Sequence, residues 1–214
     1  MSFVFKAIPC LENPLKAGSF EAVRQRAVSY SFAFSTDRSG EPIEGGSVCF
    51  AWNKAGLYVA AELEDSELIA QNHHDEQLHY QFGDVFELFI KPANDTYYWE
   101  MYATPLGNKS TLFFPRSREG MGVLDFLNQH SFHGLEVSAQ KTSKGWNAQM
   151  WIPVEQLTAL GAEWGSGSEW RIFCGRYNYN SPTLKDPELS MVPPLSATNY
   201  HLVDEYAILQ FCDD

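Results

Sequence analysis

Short runs in which apolar and polar residues alternate, each about one strand long and each bounded by Gly, Pro, Asn or Asp, recur along this chain and restrict its fold more than any other feature. Strand side chains alternate between two faces, so a period of two marks a half-buried strand, whereas a helix needs a period of about 3.6. Ser47–Trp52, Leu57–Leu63, Asp84–Lys91, Thr96–Ala103, Trp146–Ile152, Trp170–Tyr179 and Tyr206–Phe211 carry the strand pattern, with Asn108–Phe114 and Leu135–Ala139 as further candidates. The turn residues Asn53–Gly56 and Thr142–Gly145 predict hairpins. Phe20–Phe34 is predicted to enter the sheet, and Asp65–Gln81 to form a long loop with one helical turn. Residues 116–133 read as irregular. Ser181–Asn199, with four prolines, reads as a long surface loop.

Helical signal is confined to one place. Pro153 suits a first helical turn, the run reaches about Leu160, and Gly161 stops it. The alternation of strand and helix that a parallel α/β sheet requires is missing. The chain of 214 residues is long enough for one sizeable core. The expectation is therefore a single domain over 1–214, an all-β antiparallel β-sandwich of jelly-roll or immunoglobulin-like type with one short helix.

Asp and Glu total 27 against 15 Lys and Arg, a formal net charge of -12. Such a surface repels phosphate backbones and anionic lipid, so neither nucleic acid nor membrane is an expected partner. No apolar run approaches the ~18 residues of a spanning helix, and Met1–Cys10 lacks a leader pattern; a cytoplasmic location is expected if this is the native start. Cys10, Cys49, Cys174 and Cys212 show no C-x-x-C spacing and read as free thiols.

Alternation assigns faces. Phe86, Leu88 and Ile90 point one way, Val85, Glu87 and Phe89 the other; Trp99, Met101 and Ala103 oppose Tyr98, Glu100 and Tyr102. Trp146, Ala148, Met150 and Ile152 oppose Asn147, Gln149 and Trp151, while Arg176 and Asn178 share a face. With the apolar sets turned to the core, Glu87, Tyr98, Glu100, Tyr102, Gln149 and Trp151, together with Arg176 and Asn178, are expected on the opposite surface. Sugar rings rest C–H faces on aromatic rings and bring hydroxyls that need donors and acceptors, which such a surface supplies.

The same segments resemble the family-nine carbohydrate-binding modules. Gly56–Ala60 with Glu64-Asp65 is similar to the family's "LYVA…D" strand, and Gly83–Ile90 to its "D-x-x-E-x-F" strand. Tyr97–Glu100 with Pro105–Gly107 is similar to "YYEFEVNPLG", Gly145–Pro153 to "GW-x-x-E-x-x-IP", and Trp170–Tyr177 to "WR-x-N-x-x-R". The shared order covers roughly residues 45 to 211. The resemblance implies a β-sandwich that holds a small carbohydrate of β-glucan or xylan type without catalysis, with Glu87 at the matching glutamate and Arg176 and Asn178 among the polar contacts. It also implies a structural calcium ion, for which Asp65, Glu67 and Asp84 are the oxygen ligands on offer. This chain departs from the pattern at the two stacking tryptophans. Tyr80, Gln81 and Phe82 stand where one is expected, Glu188–Pro193 where the other is, and Gln149 replaces a glutamate. Tyr80, Phe82 and Trp151 are the candidate replacements for stacking.

Three other chemistries remain open on the sequence. Glu87 and Glu100 are a carboxylate pair of the type glycoside hydrolases use. His73, His74, Asp75, Glu76 and His79 form a dense cluster suited to a metal or haem, though in no zinc-motif or haem-attachment spacing. The proline-rich segment 181–199 and the acidic surface are suited to docking a protein.

Overall fold

The alternating runs become strands of one continuous sheet in the computed structural model, which describes residues 2–116 and 134–213. The strands are β1 (Val4–Pro9), β2 (Tyr30–Ser31), β3 (Gly46–Asn53), β4 (Gly56–Glu64), β5 (Val85–Pro92), β6 (Tyr98–Ala103), β7 (Lys109–Phe114), β8 (Glu136–Lys141), β9 (Gly145–Pro153), β10 (Trp170–Asn178), β11 (Glu188–Val192) and β12 (Ala207–Phe211). Their order is β7-β6-β5-β10-β12-β1-β3-β4-β9-β8, with β11 beside β10 and β2 beside β3. The sheet curls round a common core until β6 lies against β8 and β9. The predicted hairpins at 53–56 and 142–145 form, joining β3 to β4 and β8 to β9. No described helix is long and apolar enough to cross a membrane, and the four cysteines are unbridged.

The all-β expectation holds at 42% strand and 11% helix, with corrections in detail. Pairing is antiparallel except at β1, which runs parallel to both β12 and β3. Among the described residues there are three short α-helices rather than one: α1 (Pro14–Ala17), α2 (Phe20–Arg26) and α3 (Val154–Leu157). Phe20–Arg26 was expected in the sheet. It is helical because Phe20, Val23 and Ala27 recur at helical spacing and pack as one stripe, while Glu21 pairs with Arg24 one turn on. The Asn13 side chain caps α1 by accepting from the Leu15 and Lys16 amides, and Gly18, at φ 64°, ends it in the left-handed region that suits glycine. The 181–199 segment is not all loop, because β11 lies within it and pairs with β10 before Pro193-Pro194 ends it. The 65–81 loop carries its one helical turn at His79–Gln81. The irregular stretch expected at 116–133 lies outside the described residues beyond position 116.

Three apolar layers follow from the alternation. Phe86, Leu88, Ile90, Met101, Met150 and Ile172 fill the interior of the curl. On its outside, Val85, Phe89, Tyr98, Tyr102 and Phe173 are covered by Leu195, Tyr200 and Tyr206 from the segment between β11 and β12. Elsewhere outside, Cys49, Ala51, Tyr58, Ala60 and Trp151 lie beneath Leu15, Phe20 and Val23 of α1 and α2. Each such large apolar side chain contributes about 1.5–3 kcal/mol on burial, so both covering segments are integral to the fold.

Candidate ligand cleft

The site is built on β5, whose residues are all buried. Glu87 projects outward from its middle. It is flanked in register by Tyr102 of β6 and by Gly175 of β10. Gly175 leaves a gap beside the carboxyl, and the Tyr200 ring occupies it so closely that a Cβ at 175 would overlap the ring. The Tyr200 hydroxyl lies 2.9 Å from both the Arg176 and Ser190 carbonyls, its donor targets, which fixes the covering segment over β10 and β11.

Between that segment and the strands lies a cleft of about 220 Å³ with Glu87 and Glu100 in its floor. Tyr80 and Tyr177 form one wall, their rings stacked with centroids 5.3 Å apart and planes at 30°. Tyr200 meets Tyr177 edge-on at 5.8 Å, and His201, Asn199 and Thr198 form the rim. Tyr102 donates its hydroxyl proton to Glu100, orienting that carboxylate. His201 Nδ1 lies 2.8 Å from the Tyr98 hydroxyl. Glu87 is 2% exposed, and its Oε1 has no hydrogen-bond partner among the described residues. Burial first, and the Glu100 charge second, push the Glu87 carboxyl well above the usual carboxylate range. The cleft thus offers a buried carboxyl with an oxygen unpartnered among the described residues, an oriented second carboxyl, and flat aromatic faces.

No family model and no curated protein sequence matches the chain. Solved structures do. A Bacteroides uniformis protein whose carbohydrate binding is inferred is similar over 99% of this chain and 100% of its own, with a TM-score of 0.77 at 12% identity. A family-nine carbohydrate-binding module from Caldicellulosiruptor kristjanssonii, in complex with cellotriose, is similar over 99% of this chain and 94% of its own, with a TM-score of 0.70 at 11% identity. A family-nine module from the same organism in complex with glucose covers 98% of this chain and 96% of its own at a TM-score of 0.68 and 12% identity. The chain has the fold of the family-nine carbohydrate-binding modules.

On this family-nine framework the sequence-predicted residues separate. Glu87, Glu100 and Tyr80 meet in the cleft. Arg176 and Asn178 do not reach it. They leave β10 on its inner side, where Arg176 is 0% exposed and donates to the Glu44 and Gly45 carbonyls at 2.8 Å, to the Glu64 carbonyl at 2.5 Å and to Asn178 Oδ1 at 2.6 Å. Trp151 lies on the far part of the sheet beneath α1 and α2. Phe82 points into a different hollow, beside Gln71 and Asp84. A single ligand face shared by all seven residues is therefore corrected: parity places residues on a common side of one strand but does not align the sides of distant strands.

Calcium at Asp65 and Asp84 fits poorly. Asp84 spends one oxygen on the Ile69 amide at 2.6 Å and the other on the Tyr179 amide at 2.7 Å. Asp65 accepts from the Glu67 amide and has the Arg176 guanidinium 3.4 Å away. Calcium needs about six to eight oxygens, and a guanidinium here already supplies the compensating charge. The 73–79 cluster is likewise engaged locally: Asp75 accepts from the Lys109 amide and Glu76 from the Thr111 amide, clamping the loop to β7. Among the described residues no group of three His, Cys, Asp or Glu side chains is arranged to hold a metal.

Sequence reasoning missed Tyr177, Tyr200 and His201. Tyr177 had a signal, since it shares parity with Gly175 and Phe173 on the side of β10 that faces out with Glu87. Tyr200 and His201 follow β11 in a segment without periodicity, where no pattern marks them.

Proposed function

We propose that this domain is a non-catalytic β-sandwich module that binds a mono- or oligosaccharide, of β-glucan or xylan type, by one ring in the Glu87–Glu100 cleft. The observation that carries this is Glu87 Oε1, buried and unpartnered beside the stacked Tyr80 and Tyr177 rings. A buried polar oxygen left alone costs about 1–3 kcal/mol, which a sugar hydroxyl relieves. The ring faces suit sugar C–H groups, and the volume lies below the roughly 300 Å³ at which drug-sized pockets begin, which favours one ring. The structures complexed with glucose and cellotriose on the same fold support the same class of ligand. The expected partner is thus a small carbohydrate rather than nucleic acid or membrane.

Calorimetric titration with glucose, xylose, cellobiose and xylobiose tests the reading. Saturable heat is expected with at least one of them, weakened about tenfold in Tyr177→Ala. No heat at millimolar sugar would end it. A second reading, glycoside hydrolysis, is favoured by one observation: the raised pKa of Glu87 suits a general acid beside a second carboxylate. Release of reducing sugar, lost in Glu87→Gln and Glu100→Gln, would support hydrolysis. Binding without turnover dismisses it.

A further inference from the structure

A second hollow opens on the β3–β4–β9 portion of the sheet, separated in strand order from the Glu87 cleft by β12 and β1. Its volume is about 460 Å³, and it runs on into a hollow of about 590 Å³ along the hairpin at 142–145, the two sharing Glu64, Thr142 and Lys144. Each is more than twice the 220 Å³ of the cleft, so together they form a groove rather than a one-ring pocket. Asn147 lines its first part. It leaves β9 on the side opposite Ala148, which belongs to the interior core, and stands in register with Glu62 of β4. Its neighbours on that side are satisfied within the protein: Glu62 pairs with Arg24 at 2.6 Å, and Gln149 accepts from the Tyr58 hydroxyl at 2.6 Å. Asn147 is not. It is 9% exposed, and its Oδ1 has no hydrogen-bond partner among the described residues. A buried amide oxygen without a donor is costly, and a ligand hydroxyl relieves it.

The remaining groups indicate what the groove takes. Glu44 accepts from Asn178 and from the Ser66 amide, and Asp65 has the Arg176 guanidinium beside it. That leaves Glu41 and Glu64 with Lys141 and Lys144, two charges of each sign. A balanced lining favours neither an anion nor a cation. Carboxylates accept, ammonium groups donate, and the Ser47 and Thr142 hydroxyls do both, which suits a neutral ligand rich in hydroxyls. The aromatic ring in the lining, Phe32, is 3% exposed, so a single sugar finds no stacking face here and affinity has to accumulate along several rings. We propose that this groove is a second carbohydrate site, which takes the interior of a neutral oligosaccharide chain, with Asn147 bonded to one ring hydroxyl and Glu64 and Lys144 to the next ring. The class of ligand rests on the carbohydrate-binding reading; the site itself uses none of the cleft's residues. A domain that holds one ring in the cleft and a run of rings in the groove engages a polysaccharide at two points and gains avidity without any new contact.

The test is amide chemical-shift mapping on the full chain, titrated with glucose, cellotriose and xylotriose. Glucose is expected to move amides around Glu87 and Tyr177 alone. At least one trisaccharide should move a second group as well, at residues 45–47, 62–64 and 142–147, with its own saturation curve. Asn147→Leu should weaken that second event about tenfold and leave the glucose event unchanged. Should that variant not fold, Glu64→Ala combined with Lys144→Ala, both exposed positions, takes its place with the same expected loss. Trisaccharide shifts confined to the first group, or a second event indifferent to these substitutions, overturn the groove and leave the cleft standing. A second group that responds to glucose as strongly as to the trisaccharides overturns the preference for a chain. Movement of the second group alone upholds the groove and ends the cleft reading. Absence of shifts with all three sugars ends both.

Discussion

Arg176 is fully buried, yet nearly every contact it makes is to backbone or to a polar group from another part of the chain. Its Nη atoms hold the carbonyls of Glu44 and Gly45 before β3 and of Glu64 at the end of β4, which ties β10 to the far portion of the sheet. Arg176→Met would leave those carbonyls and Asp65 without their donor. An expected loss of about 3–5 kcal/mol follows from breaking a buried pair on one side, to be read from urea unfolding; a change within the range of surface substitutions would refute the tie. Asp84 belongs to the same polar knot. Burial above all pushes its carboxyl up to about 7, against about 3.9 in an unfolded chain. The folded state therefore binds more protons between those values. The stabilising contribution is whole below about pH 4 and is lost as pH rises toward 7. Asp84→Asn removes that titration but leaves one of the Ile69 and Tyr179 amides without its acceptor. It should start less stable at low pH, with a flatter dependence across the window. Thermal melts at several pH values compare the slopes, and identical slopes would remove Asp84 from the account.

The covering segment after β11 is the element on which the cleft depends, and its anchor is a missing side chain. Gly175 admits the Tyr200 ring, and Tyr200 with Tyr206 and Leu195 seals the outer layer. Gly175→Ala forces the ring away from β10, where its hydroxyl meets the Arg176 and Ser190 carbonyls. The variant should lose about 1–3 kcal/mol, the usual cost of overpacking. Amide hydrogen exchange should quicken through residues 195–206 while the interior strands stay protected; uniform protection there would contradict the dependence. This element also marks the limit of what the sequence discloses. Period-two patterning in β5, β6 and β9 identified the buried faces, because strands enforce it. In β10 it misled: Arg176 and Asn178 are polar, which reads as outward, but they turn inward into a buried polar knot, and the outward residues are Phe173, Gly175 and Tyr177. Alternation says which residues share a side of one strand. It does not say which side will be roofed, and the roof has no period of its own. Hence the floor of the cleft was legible in Glu87 and Glu100, while Tyr200 and His201 were not.

At the scale of the molecule, the strand that makes one sheet of two portions is the first. β12 and β3 do not pair with each other; β1 runs between them, parallel to both. Phe5 and Ala7 of β1 are buried in the common core, and Phe5 stacks near Tyr30 and Phe50. Away from β1, the described backbone hydrogen bonds between the portions include the isolated bridge of Ala33 with Met191 and the bond from the Thr36 amide to the Leu195 carbonyl. Removing residues 2–9 would leave two facing strand edges with unpaired N–H and C=O groups, together with a slot through the core. Unpaired edges recruit other chains, and buried backbone groups without partners are costly. The shortened chain should therefore lose the single cooperative urea transition expected of the intact domain and should self-associate, as followed by circular dichroism and light scattering. A family of loop-deletion controls is unnecessary, because the full-length chain provides the comparison: if the shortened protein kept the same midpoint and the same denaturant dependence, the two portions would be folding without their shared strand, and β1 would be an addition to the sheet rather than its keystone.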